Sequence, residues 1–160
     1  MTAHPDTGYQ LVSAVFLRLL GIIYLIAFAS LGLQVEGLAG SQGILPFSEQ
    51  LAAVAGRTGI ERYLQLPTLF WLNAGDMALT GATVGGCIAA LLIMLQRWSR
   101  AALIVAYMLY LSLYQACQPF LNFQWDGLLL EAGFLAIFLT PQSRVIVLLF
   151  RWLLFKLRFM

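Results

Sequence analysis

Asn122-Phe123-Gln124-Trp125-Asp126-Gly127-Leu128-Leu129-Leu130-Glu131-Ala132-Gly133-Phe134-Leu135-Ala136-Ile137-Phe138 is the stretch whose reading decides the fold. It is apolar enough to lie in lipid, yet it carries two carboxylates, Asp126 and Glu131. A charge deep in a bilayer costs about 2.5–3.5 kcal/mol on insertion scales, so it normally faces a partner or a cavity rather than hydrocarbon. A helix of this kind needs neighbours.

The chain supplies them. Of its 160 residues, 61% are hydrophobic and 10% charged, whereas an average soluble domain has about a quarter charged residues. The length suits one domain. A membrane chain must hide its backbone in helices or a closed barrel, and these apolar runs are too long for barrel strands. Runs near the membrane-spanning length of about 20 residues lie at about 12–33, 72–95, 101–118 and 122–140. The expected fold is an all-α integral membrane protein, a four-transmembrane-helix bundle over residues 11–142. Residues 1–10 form a polar N-terminal tail and 34–71 an outer loop. The first run is no secretory signal, since it lacks a basic start, a short apolar core and a clean cleavage site.

Basic residues set the orientation. Arg97 and Arg100 lie between the second and third runs, and Arg144, Arg151, Lys156 and Arg158 follow the fourth. Loop 34–71 has Arg57 and Arg62 against Glu36, Glu49 and Glu61. The positive-inside rule then puts both termini in the cytoplasm. With this topological explanation for its basic residues, the net charge of +2 does not point to nucleic acid.

Several chemistries find no foothold. Cys87 and Cys117 differ too much in depth to form a disulfide, at about 1.5 Å of rise per residue, and no Cys-x-x-Cys occurs. His4, the single histidine, falls in the polar tail, where solvation is the ordinary fate. No metal-ligand spacing, nucleotide loop or nucleophile elbow is present, so neither a cofactor nor a catalytic residue is expected.

Within the spans, Ala14, Arg18, Gly21, Leu25, Ala29 and Gly32 form a stripe at helical spacing. Small residues on one face let another helix approach closely. Asp76, Thr80, Thr83 and Cys87 repeat the spacing in the second run, thinned by Gly75, Gly81, Gly85 and Gly86. Tyr107, Tyr110, Tyr114 and Gln118 line one side of the third, and the mid-span hydroxyl of Tyr107 needs a partner. In the fourth, Glu131 lies at the depth of Arg18, which makes an intramembrane Arg18–Glu131 ion pair the leading expectation. Asp76, Gln124, Trp125 and Asp126 form a candidate outer polar cluster. Two carboxylates sharing a pocket could do acid–base work, but each is expected to cap its own helix start.

The outer loop has structure of its own. Gly40-Ser41-Gln42-Gly43-Ile44-Leu45-Pro46 reads as a turn into a short helix near 47–56, and Gly59 to Leu66 as a second segment ending at Pro67. Phe47, Leu51, Val54, Tyr63 and Leu66 could lie on the membrane or roof the bundle. Arg144, Arg151 and Arg158 recur every seven residues in the apolar segment 143–160. That segment is either a basic amphipathic interfacial helix or the start of a truncated fifth span. The apolar ending at Met160 favours truncation.

The chain resembles the lipase maturation factor family. The resemblance is carried by Phe16-Leu17-Arg18 with Gly21 and Tyr24, by Gly40-Ser41-Gln42-Gly43-Ile44-Leu45-Pro46, and by Leu66-Pro67-Thr68-Leu69-Phe70-Trp71. Phe123-Gln124-Trp125-Asp126 with Leu128-Leu129-Leu130-Glu131 and Gly133-Phe134-Leu135 is its most specific part. More distantly the chain is similar to the membrane domain of vitamin-K-dependent carboxylase and to DoxX-type proteins. The resemblance implies a multi-pass membrane factor that helps secreted lipases fold and assemble. Its place would be the endoplasmic reticulum membrane in a eukaryote or the inner membrane in a bacterium. Family members continue into a large non-cytoplasmic domain thought to handle clients, so what carries over is the membrane module. Its expected partners are membrane lipid, a secreted lipase client or a protein supplying the missing domain. Two other readings stay open: a quinone- or lipid-linked membrane enzyme or redox partner, and a structural subunit of a larger membrane complex.

Overall fold

A computed structural model of the chain describes residues 7–56, 59, 61–118, 120–139 and 144–159. His4, Arg57, Met160 and the side chain of Arg144 lie outside the described residues. All regular structure among them is helical: α1 (Thr7–Gly32), α2 (Val35–Ala39), α3 (Phe47–Ala55), α4 (Arg62–Gln65), a 3-10 turn (Leu69–Trp71), α5 (Asp76–Met94), α6 (Ser99–Ala116), α7 (Gln124–Ile137) and α8 (Arg144–Phe159). Helix α1 lies on α5, α5 on α6 and α6 on α7, with α1 closing onto α7.

Small residues set these approaches. A methyl on Gly21 would come 2.8 Å from Met94 Cγ, and one on Gly32 3.2 Å from Thr83 Oγ1. One on Gly86 would overlap the Phe28 ring. These pairs run in opposite chain directions, so α1 and α5 are antiparallel. The buried ridge of α1 is Leu20, Tyr24, Phe28 and Leu31. Arg18 and Ala29 of the expected stripe are exposed, while Ala14 and Leu25 are half-buried, because the helix turns its aromatic ridge inward and leaves the stripe to one side.

The outer surface carries a broad apolar belt. Leu11, Val15, Leu19, Ile22 and Ile26 of α1, Val84 and Ile88 of α5, and Ile104 and Val105 of α6 are exposed. A belt of this size is foreign to a monomeric protein in water and suits lipid. Two helical segments, Gln10–Gly32 and Asp76–Met94, are long and apolar enough to cross a membrane. Helix α6 has 18 residues and α7 has 14, giving lengths of about 27 and 21 Å at 1.5 Å per residue. Both fall short of the roughly 30 Å hydrocarbon core. The run at 122–140 thus forms a shorter helix than its hydropathy alone implies, whereas α6 is as long as the run at 101–118.

Loop 34–71 roofs one end. Phe47 and Phe70 are buried and meet edge to face at 5.9 Å. Thr68 Oγ1 accepts the Phe70 N–H at 3.2 Å, and Trp71 Nε1 donates to the Leu66 carbonyl at 2.9 Å. The Leu69 N–H donates to Ser112 Oγ at 3.0 Å and ties this segment to α6. At the opposite end, Gln96 Nε2 donates to the Ala14 carbonyl at 3.0 Å.

Helix α8 folds back along the seam of α1 and α7: Phe150 meets Phe16 edge to face at 5.1 Å, and Lys156 pairs with Glu131. An apolar face that finds a groove on its own bundle buries surface there.

Candidate functional site

The loop from α6 to α7 delivers Asp126 to the first turn of α7, whose N-cap is the extended residue Phe123. Asp126 is 7% exposed. Its Oδ1 accepts the hydroxyl of Tyr110 at 2.7 Å. Its Oδ2 is buried and has no hydrogen-bond partner among the described residues. Tyr110 is fixed by Tyr24 and Phe28, whose rings meet it edge to face at 5.8 and 5.4 Å. Tyr24 in turn donates to the Leu129 carbonyl at 3.3 Å, and its hydroxyl occupies the space that a side chain at Gly133 would fill.

Asp126 forms the floor of a cleft of about 560 Å³ between α1, α6 and α7. Ile23, Ile26, Ala27 and Ser30 line the α1 side, and Phe123, Trp125 and Leu129 the α7 side. None of the described lining residues is basic. The result is an apolar cleft lined by an aspartate, one of whose oxygens is buried and without a partner among the described residues, an arrangement typical of small-molecule sites.

The other expected site residues are dispersed. Asp76 sits in the first turn of α5 but caps nothing there, since Gly75 is the N-cap and no side chain caps it. Instead Asp76 accepts the Ser41 N–H and hydroxyl, each at 2.6 Å. Glu36 accepts Thr80 Oγ1 at 2.7 Å nearby. The Gly40-Ser41-Gln42-Gly43 turn is therefore a latch from the outer loop onto α5. Gly40 is required there because a Cβ would overlap the Glu36 carbonyl. Asp76 does not line the Asp126 cleft, so the two carboxylates do not meet in it. Trp125 borders the cleft and stacks on Phe123 at 5.5 Å, while Gln124 is exposed. Glu131 takes Lys156 rather than Arg18 as its partner, and Arg18 is exposed. Cys87 and Cys117 are free thiols.

The long-range likeness of the chain follows this geometry. A family described as the lipase maturation factor transmembrane domain matches residues 11–160, a range that includes every residue of the cleft and the latch. The chain belongs to the lipase maturation factor family. Lipase maturation factor 2 of Gallus gallus is 38% identical over 164 residues, covering 90% of this chain and 23% of that protein. Lipase maturation factor 2 of Homo sapiens is 35% identical over 182 residues, covering 95% of the chain and 25% of that protein. Lipase maturation factor 1 of Mus musculus is 33% identical over 186 residues, covering 97% and 31%. The chain thus spans about a quarter to a third of the length of these relatives. No solved structure matches it.

In this lipase maturation factor domain, sequence reasoning named Asp126 and Tyr110 separately and did not join them. It also passed over Tyr24 and Phe28 as site residues. The available signal was Gly133, a small residue in the same motif as Asp126, which marks where a bulky side chain from another helix must lie.

Proposed function

We propose that this domain is the membrane-embedded part of a maturation factor for secreted lipases, and that it acts by binding rather than by breaking bonds. Family membership across residues 11–160 carries the proposal. In this reading α1, α5, α6 and α7 all cross the membrane, and α6 and α7 fit by local thinning of the bilayer. Arg97 and Arg100, both exposed in the α5–α6 region, mark the cytoplasmic side with the termini. The membrane is the endoplasmic reticulum in a eukaryote or the inner membrane in a bacterium. The roof of loop 34–71 then faces the compartment through which a secreted lipase passes. A client, or a further domain that handles it, would meet the protein there.

The test is to delete the gene in its own host and measure a coexpressed secreted lipase as activity per molecule. A lower active fraction with unchanged synthesis is expected. Unchanged activity per molecule would overturn the proposal. The Asp126–Tyr110 pair is the one observation favouring a lipid-linked or redox enzyme. That reading requires Asp126→Asn to abolish turnover in a protein that still folds. A purely structural subunit would instead copurify with one partner in fixed stoichiometry and leave the lipase unaffected.

A further inference from the structure

We propose that the cleft floored by Asp126 binds a single-chain amphiphile whose head donates hydrogen bonds and carries no phosphate: a hydroxyl or primary amine on a hydrocarbon tail. The inference stands on the cleft and does not depend on the lipase reading.

The orphaned oxygen comes first. A buried acceptor without a partner costs about 1–3 kcal/mol, and native structures rarely tolerate one. Asp126 cannot resolve this within the protein. Its Oδ1 is held by Tyr110, and Tyr110 is itself locked between the rings of Tyr24 and Phe28. Asp126 also lines the cleft, so the cleft is where a donor from outside the protein would approach it. At about 560 Å³ the cleft falls in the usual small-ligand range of about 300–1,000 Å³. One water, whose share of the liquid is roughly 30 Å³, would leave most of it unfilled.

The walls specify the rest of the ligand. A second cavity, of about 420 Å³, shares Ile23, Trp125 and Leu129 with the first and continues between α1, α7 and α8. Phe16, Leu20 and Leu153 line that continuation, and among the described residues no charged side chain does. A head on Asp126 would thus send its tail down an apolar seam. Ser30 and Gln34 at the cleft offer further polar contacts to a head with more than one hydroxyl. The head carries no anionic group, since among the described residues no basic side chain lines either cavity to pair with one.

The experiment is photolabelling of the whole protein in nanodiscs with a diazirine-tailed monoacylglycerol, mapped by mass spectrometry. Labels are expected on α1 and α7 around Ile23 and Leu129. Excess 1-oleoylglycerol or oleylamine should compete, and whichever competes better identifies the head as hydroxyl or amine. Ionised oleic acid should not compete. Asp126→Leu should lower labelling about tenfold or more, the value of a hydrogen bond to a charged group. Because that variant disturbs Tyr110 as well, Ser30→Trp provides the second arm. It fills the cleft from an exposed position, leaves the Asp126–Tyr110 bond in place, and should abolish labelling equally. Labelling spread over the lipid-facing belt, equal competition by oleic acid, or indifference to Ser30→Trp would each overturn the proposal.

Discussion

Replacing Gly133 by alanine should destabilise the bundle, although the same change favours an isolated helix by about 1 kcal/mol. The added methyl would overlap the Tyr24 hydroxyl oxygen and approach the ring at 3.0 Å from Cζ and 3.3 Å from Cε2. Tyr24 has no exposed surface and lies against Phe28 at 5.9 Å and Tyr110 at 5.8 Å. The ring therefore has nowhere to retreat. Overpacking of this kind costs about 1–3 kcal/mol, and loss of the Tyr24–Leu129 hydrogen bond adds about 0.5–1.5 kcal/mol. After subtracting the helical gain, the net loss is about 0.5–3.5 kcal/mol. Tyr24→Phe removes the overlapping oxygen but leaves the 3.0 Å approach to Cζ, so it should rescue Gly133→Ala in part. The two changes should couple by about 1 kcal/mol in a double-mutant cycle. Unfolding in an SDS titration, followed by maleimide capture of the free thiols of Cys87 and Cys117, reads these differences. A Gly133→Ala protein as stable as its parent, or strict additivity with Tyr24→Phe, would refute the packing argument.

Tyr110→Phe leaves both oxygens of Asp126 without protein donors and should cost about 1–3 kcal/mol, with Tyr110→Phe/Asp126→Leu less damaging than the single change in the same titration. Ser41→Ala combined with Asp76→Asn should release the outer loop without unfolding the bundle. Limited proteolysis should then cut loop 34–71 faster while the thiol-capture profile stays unchanged; equal cutting would show that the latch holds nothing. Lys156→Leu strands the Glu131 carboxylate on a lipid-compatible helix, a loss of about 2.5–3.5 kcal/mol on insertion scales, and Glu131→Leu/Lys156→Leu should recover most of it. Arg18→Leu should not destabilise the protein, since Arg18 is exposed and makes no ion pair among the described residues; a larger loss than for Lys156→Leu would mean that Arg18 is the true partner.

The antiparallel packing of successive helices was legible in the sequence because hydrophobic length and short turns dictate it. The close approach at Gly21, Gly32 and Gly86 was legible because small residues at helical spacing have few other uses. Partnership between charges was not. Counting residues from the helix ends places Arg18 and Glu131 at one depth, but depth says nothing about azimuth. With Leu20, Tyr24, Phe28 and Leu31 turned inward, Arg18 points roughly 120° away at 100° per residue. Lys156 reaches Glu131 because α8 folds back, and no periodicity within 144–159 reports that choice. Amphipathicity is the same whether the groove it fills belongs to lipid headgroups or to α1 and α7.

The two aspartates show the same ambiguity at a finer scale. A carboxylate near a helix N-terminus is favoured by the dipole whatever else it does, so Asp76 and Asp126 carry the sequence signature of caps. Yet the capping positions are Gly75 and Phe123, both extended and neither assisted by a side chain. Each aspartate lies inside the first turn, where its oxygens can face a different segment. Asp76 is reached by Ser41 because the Gly40–Gly43 turn bends sharply enough to bring the loop over α5. Asp126 is reached by Tyr110 because the α6–α7 loop brings the two helices alongside one another. The dipole makes a carboxylate tolerable at both places. What it then does is decided by whether a donor from another segment comes within reach. Asp76 finds two donors and is satisfied. Asp126 finds one, and its second oxygen keeps the cleft chemically selective.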